Sequence, residues 1–208
     1  MILLDAMNTL LRMCGHSAVN DPDIADVNAA NTKLVLKRVR RKVLRHGYHF
    51  NTDVFDLTPG LNGRVVISST LLRIELPLGV SYRKDAGDGA LYLWDQESND
   101  WWDSEVKDVK QVFDIANADS ATDDFERLPE DFAEWIMREA LAEFYFETYQ
   151  LPSADLMREA AEASAIAVNS LPPQSIHEAT RFQRIAGIAG GGHGSTVTQT
   201  GRIWINVG

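Results

Sequence analysis

The spacing of apolar residues changes period twice along the chain. Around residues 2 to 13, Leu3, Met7, Leu10, Leu11 and Cys14 recur at the three- and four-residue steps of one helix face, and Gly15 offers a natural stop. After the polar break HSAVNDPD, Asp21 is placed to cap a second helix and Pro22 to take its first position. Ile24, Val27, Leu34, Val39 and Val43 then carry a helical rhythm to about His46. This predicts a long helix, acidic at its start and basic at its end, as the helix dipole favours. Gly47 ends it. From Phe50 to Ile115 the rhythm becomes that of strands: VFDLT, RVVIS, LLRIEL, VSYR, ALYLW and VKQVFDI are short β-type runs, divided by turn pairs such as Pro59-Gly60, Asn62-Gly63 and Asp88-Gly89. They predict a small antiparallel sheet built from hairpins.

A polar, acidic loop, ANADSATDDFER, leads to Leu128-Pro129-Glu130-Asp131, where a proline and two acids mark a helix start. Phe132, Trp135, Ile136, Ala140, Phe144 and Thr148 form one apolar face, and Leu151-Pro152 closes the helix. Ser153 is placed to cap the next one, an alanine-rich run that stops at Pro172-Pro173. The last segment holds a glycine cluster and then RIWINV, for which no short hairpin partner is evident. The pattern as a whole predicts an α+β chain: an antiparallel helical bundle from residues 1–49 and 117–172, an inserted antiparallel β domain at 50–116, and an extended, flexible C-terminal arm at 173–208. Such an arm, ending in Trp204 as an aromatic anchor, is suited to reach a neighbouring subunit.

At 208 residues and 45% hydrophobic, the chain is long enough for one core and a small second one without disulfides. No charged start precedes an apolar run and no stretch approaches eighteen apolar residues, so neither a signal peptide nor a membrane span is expected, and cytosol-like conditions are. The single Cys14 sits in an apolar helical pattern and reads as a buried thiol without chemistry. A net charge of −10 argues against general affinity for nucleic acid. Yet seven of the 20 basic residues fall between Lys33 and Arg45. Glu139, Glu143 and Glu147, at four-residue steps, form an acidic ridge that can answer them, within a subunit or between copies.

Four groups invite a chemical reading. His46, His49 and Asp53 are metal-ligating types, but the helix ends between the two histidines, so no metal is expected. GGGHGST, residues 190–196, has the glycines of a phosphate loop without its lysine, flanking strand or helix, so no cofactor is expected. Trp101 and Trp102 beside Asp100, Asp103 and Glu105 are the best case for an enzyme, a glycan hydrolase with a sugar platform and two carboxylates. In a strand the two tryptophans point to opposite faces, one to the core, which weakens that case. The basic helix is the case for a nucleic-acid-binding module, although its bases are spread around the helix with no aromatics among them. None of these supplies a catalytic, cofactor-binding or metal residue, and no enzyme is expected.

The order of features resembles the tail tubular protein A family of short-tailed phages. The resemblance rests on the short helix with NTLL (Asn8 to Leu11), the polar break, the long basic helix, Gly47-Tyr48-His49-Phe50-Asn51 where relatives show Gly-Trp-any-Phe-Asn, and Leu128-Pro129-Glu130 before an aromatic-rich helix. It covers roughly residues 1 to 165. Tyr48 stands where the family has tryptophan, Leu91 to Asp95 only loosely matches the family's tyrosine-aspartate hairpin, and nothing beyond Pro172 has a counterpart. The resemblance implies a structural subunit of a head-to-tail adaptor ring, with twelve copies below the portal protein and above the tail nozzle protein, touching the tail fibres in some relatives. It implies a place in the virion after assembly in the host cytoplasm, and DNA that passes through the channel during ejection without sequence-specific binding. An acidic wall suits that passage, since it repels phosphate.

Overall fold

A computed structural model describes residues 3–114, 124–172, 196–197 and 202–207. The fold is α+β, with antiparallel sheets, and the chain divides into two compact units, Met1–Val43 with Ile115–His177 and Leu44–Asp114 with Glu178–Gly208. No helix among the described residues is long and apolar enough to cross a membrane.

The first unit is helical. Helix α1 (Leu3–Met13) buries Leu3, Ala6, Met7, Leu10 and Leu11, the face expected from their spacing. It ends where Gly15 takes a positive φ of 75°. Asn8 then holds the polar break in place, because its side chain donates to the Val19 carbonyl at 2.9 Å and accepts from the Val19 N–H at 2.8 Å. Helix α2 (Val27–Leu44) starts later than Asp21 and Pro22 imply. Asp26 is its cap, accepting from the Ala29 N–H at 2.8 Å, while Asp21 closes a local turn onto Asp23.

The buried face of α2 also differs from the expected one. Val27 and Leu34 are 83% and 63% exposed, and the core side is made by Ala29, Thr32, Val35, Leu36, Val39 and Val43. Ala29 and Thr32 are fully buried, and the Thr32 hydroxyl is satisfied by the Asn28 carbonyl at 2.8 Å.

Helix α3 (Glu130–Tyr149) has Pro129 ahead of it with no side-chain cap, and Glu130 and Asp131 offset its exposed N–H groups. Gln150 ends it in the left-handed conformation, returning its N–H to the Phe146 carbonyl. Helix α4 (Ala154–Asn169) is capped by Ser153, as the sequence indicates. It packs on α3 yet fully buries only Ala160 and Ala167, so most of its surface faces solvent.

The second unit contains two sheets. The first, in order β1-β7-β3-β9-β8, combines β1 (Thr52–Leu57), β3 (Leu71–Pro77), β7 (Val106–Phe113), β8 (Thr196–Val197) and β9 (Arg202–Asn206). The second runs β2 (Val66–Ile67), β5 (Leu91–Asp95), β4 (Val80–Lys84), with β6 (Asp100–Trp101) also on β5. One apolar cluster draws on both: Ile74, Leu76 and Val109 come from the first sheet and Ile67, Val80 and Leu93 from the second.

The final strand corrects the expectation of an arm. Arg202 to Asn206 pair antiparallel with β3, from Pro77↔Arg202 to Arg73↔Asn206, inside the sheet of the same chain. Trp204 is buried beneath the Arg73 guanidinium, 4.5 Å from its ring centroid, and Val207 enters the core between the sheets. Burial pulls the Arg73 guanidinium down to about 10. Residues 173–195 of the expected arm, and with them most of the 190–196 glycine cluster, lie outside the described residues.

Removing the anchor tests this placement. Trp204→Ala should lower unfolding free energy by about 3–5 kcal/mol in a denaturant titration. A variant as stable as the parent would show that the strand contributes nothing to its own sheet.

Candidate functional site

Residues 44–52 make a compact, buried polar arrangement. Helix α2 ends with backbone carbonyls that have no partner in the next turn. Gly47 breaks the helix with φ 79°, and a Cβ there would come within 2.9 Å of Val112 Cγ2, so both backbone angle and space call for glycine. The chain then turns back on itself, the Asn51 N–H donating to the Tyr48 carbonyl at 3.0 Å.

The Asn51 side chain, 5% exposed, completes the turn. Its Oδ1 accepts from the Tyr48 N–H at 2.7 Å, and its Nδ2 donates to the Leu44 carbonyl at 2.9 Å and the Phe113 carbonyl at 3.0 Å. Its backbone carbonyl also accepts from the Phe113 N–H at 2.9 Å. One amide thus ties the last turn of α2, the turn itself and the end of β7. Tyr48 is buried, stacked on Phe50 with centroids 5.6 Å apart, and burial raises its hydroxyl well above the usual tyrosine range. His49 is exposed and meets Phe50 edge-on, while Asp53 faces solvent on β1. Among the described residues, no three His, Cys, Asp or Glu side chains converge in a way that could hold a metal ion.

The basic helix finds its acids within the chain. Arg38 Nη2 lies 2.8 Å from Glu143 and 2.6 Å from Glu147, and Lys42 Nζ lies 2.8 Å from Glu139 and 3.2 Å from Glu143. The two bases, four residues apart on α2, interleave with three acids at the same step on α3. Hydrogen bonds from Glu147 and then Glu143 raise Arg38. Burial pulls Lys42 down, but the hydrogen bonds and charges of Glu139 and Glu143 outweigh it and leave Lys42 above the usual lysine range. Both bases are more than half exposed, so each pair contributes only about 0.2–1 kcal/mol. These contacts answer the ridge within the subunit, and they engage two of the bases that a nucleic acid would need.

Trp101 and Trp102 separate as strand geometry demands. Trp102 packs against the core between the sheets. Trp101 lies edge-on to Trp94 at 5.0 Å, with the Arg64 guanidinium 4.7 Å from its centroid, and Arg83 lies 3.9 Å from the Trp94 centroid. Guanidinium groups thus occupy ring faces that a sugar would need. Asp100, Asp103 and Glu105 are all exposed; Asp100 accepts from the Trp101 N–H and Asp103 from the Ser104 hydroxyl. Both contacts are local, within one residue along the chain. Cys14 is buried, and burial raises its thiol, so it is a packing residue.

Sequence reasoning missed three contacts. The Tyr149 hydroxyl donates to the Cys14 carbonyl at 2.9 Å; Arg138 bridges Glu134 and Glu159, both at 2.7 Å; and the arginine–tryptophan stacks form on the second sheet. Only the i,i+4 spacing of Glu134 and Arg138 was there to be found.

Residues 4–171 match the family model described as tail tubular protein. The chain belongs to that family and is thereby a structural component of a phage tail. It is 32% identical over 142 residues to tail tubular protein A of Klebsiella phage KP34, a match spanning 68% of this chain and 70% of that relative.

The Asn51 contacts have a measurable consequence. Asn51→Ala would strand the Leu44 and Phe113 carbonyls and the Tyr48 N–H, and should destabilise the protein by about 3 kcal/mol, read as a lower denaturation midpoint. A midpoint within error of the parent would mean that water replaces the amide without cost.

Proposed function

We propose that this chain is a subunit of a head-to-tail adaptor ring, seated between the portal protein and the tail nozzle protein. A central channel passes DNA at ejection, and the subunit performs no reaction of its own. The observation that carries this reading is the family match over residues 4–171, which takes in both the helical unit and most of the two-sheet unit. The relative from Klebsiella phage KP34 bears the name tail tubular protein A, the part that the resemblance assigns to the adaptor.

Charge supports the same reading. With a net charge of −10, the chain presents phosphate with repulsion, the property a conducting wall needs. Arg38 and Lys42 are engaged by glutamates, which lowers the positive field of the basic helix. Twelve copies, contact with tail fibres and assembly in the host cytoplasm before incorporation into the virion follow from the family resemblance. Exposed apolar side chains on the two-sheet unit, among them Phe55, Leu61 and Val66, are suited to contacts with the nozzle or fibres.

Electron microscopy of the purified chain mixed with its portal protein tests the proposal. Rings capping the portal, each with an open centre, are the expected result; a chain that forms no ring, alone or on the portal, contradicts it.

A further inference from the structure

Helix α2 carries bases on more than one flank. Arg38 and Lys42 face the glutamates of α3. Lys37 and Arg41, one step round the helix, make no ion pair among the described residues. They extend a stripe whose residues follow at steps of three and four: Val27, Ala30, Leu34, Lys37, Arg41. Such a stripe stays on one side of a helix and is the pattern by which helices pair. Its first turns are apolar and exposed, its last turns basic.

The same unit holds a complementary groove. Between α3 and α4 lies a cleft of about 390 Å³, walled by Asp131, Glu134, Glu159 and Glu162, with Arg138 as its one base. Arg138 is already shared between Glu134 and Glu159. At one end Ala163 and Ile166 give an apolar floor, and Ile166 is 60% exposed. No residue of α2 lines this groove, so the stripe of the same chain does not fill it.

We propose that the groove receives the α2 stripe of a second copy, with the incoming helix antiparallel to α4. The spacing fits. At a rise of about 1.5 Å per residue, Leu34 to Arg41 spans roughly 10 Å, and so does Ile166 to Glu159. Placing Leu34 on Ile166 therefore sets Arg41 beside Glu159, with Lys37 beside Glu162. Stripe and groove are different surfaces of one subunit, so the contact is head-to-tail and repeats from copy to copy, the geometry that a closed ring requires. The exposed apolar turns supply burial, and the charges fix direction and register. The inference rests on the adaptor-ring reading and names the surfaces that would make the ring.

Charge exchange on the full chain tests it. Lys37→Glu and Glu162→Lys would each be made alone and together, and assembly followed by sedimentation, with and without portal protein. Both sites are solvent-facing, so thermal melts of the unassembled variants should match the parent. Each single reversal should weaken assembly by about tenfold or more, and the double variant should restore it to near the parental level. Single variants that assemble like the parent overturn this contact and leave the ring reading standing. Disruption by each single change without rescue in the double overturns the Lys37–Glu162 pairing. A parent chain that remains monomeric at every concentration, even with portal protein, overturns the ring and this contact together.

Discussion

Where α2 runs out, the chain must leave the helix without abandoning the carbonyls of its last turn, and the side chain of Asn51 meets that need. A primary amide has two donors and an acceptor on one rigid group. Here they reach Leu44, Phe113 and Tyr48 together, which no aliphatic or single-hydroxyl residue can do. Gly47 supplies the left-handed turn that brings Asn51 into range, and Tyr48 stacks on Phe50 within the turn. Since Asn51 also holds both backbone groups of Phe113, the register of β7 is fixed at this point, and β7 in turn pairs with β1 and β3. The Gly47–Asn51 stretch, on which the resemblance to the tail tubular family partly rests, is thus a device for positioning backbone.

Charge is distributed by a comparable economy. Half-exposed ion pairs add little stability, so the value of the Arg38–Lys42 set lies in choosing which flank of α2 faces α3. Once that flank is chosen, Lys37, Arg41 and the exposed Val27 and Leu34 are presented outward by the same rotation. The alanine-rich α4, which buries little, presents a surface in the same way. A subunit built for assembly is expected to leave such faces uncovered.

Much of the local structure is legible in the sequence, because it depends on short-range chemistry. Gly15, Gly47, Pro129 and Ser153 mark helix ends where the sequence places them, and the β-type runs fall on strands. The start of α2 is ambiguous in sequence because Asp21-Pro22 is as good a local signal as Asp26, and the structure takes Asp26 as the cap, with Ala29 and Thr32 buried. RIWINV reads from sequence as part of an arm because its partner, β3, lies more than a hundred positions away, and alternation alone names no partner. Nor can spacing tell whether Glu139, Glu143 and Glu147 meet bases of their own chain or of another; that is decided by the fold around them. The outer groove leaves no local mark in the sequence, since its acids come from two helices some thirty positions apart.

That the Gly47–Asn51 stretch holds backbone in place is tested most directly by native-state amide hydrogen exchange. The N–H groups of Tyr48, Asn51 and Phe113 should exchange as one unit, protected by a factor of about a thousand or more, and should lose that protection together in Asn51→Asp. Exchange at the rate of an open loop in the parent, or protection that survives the substitution, would contradict it.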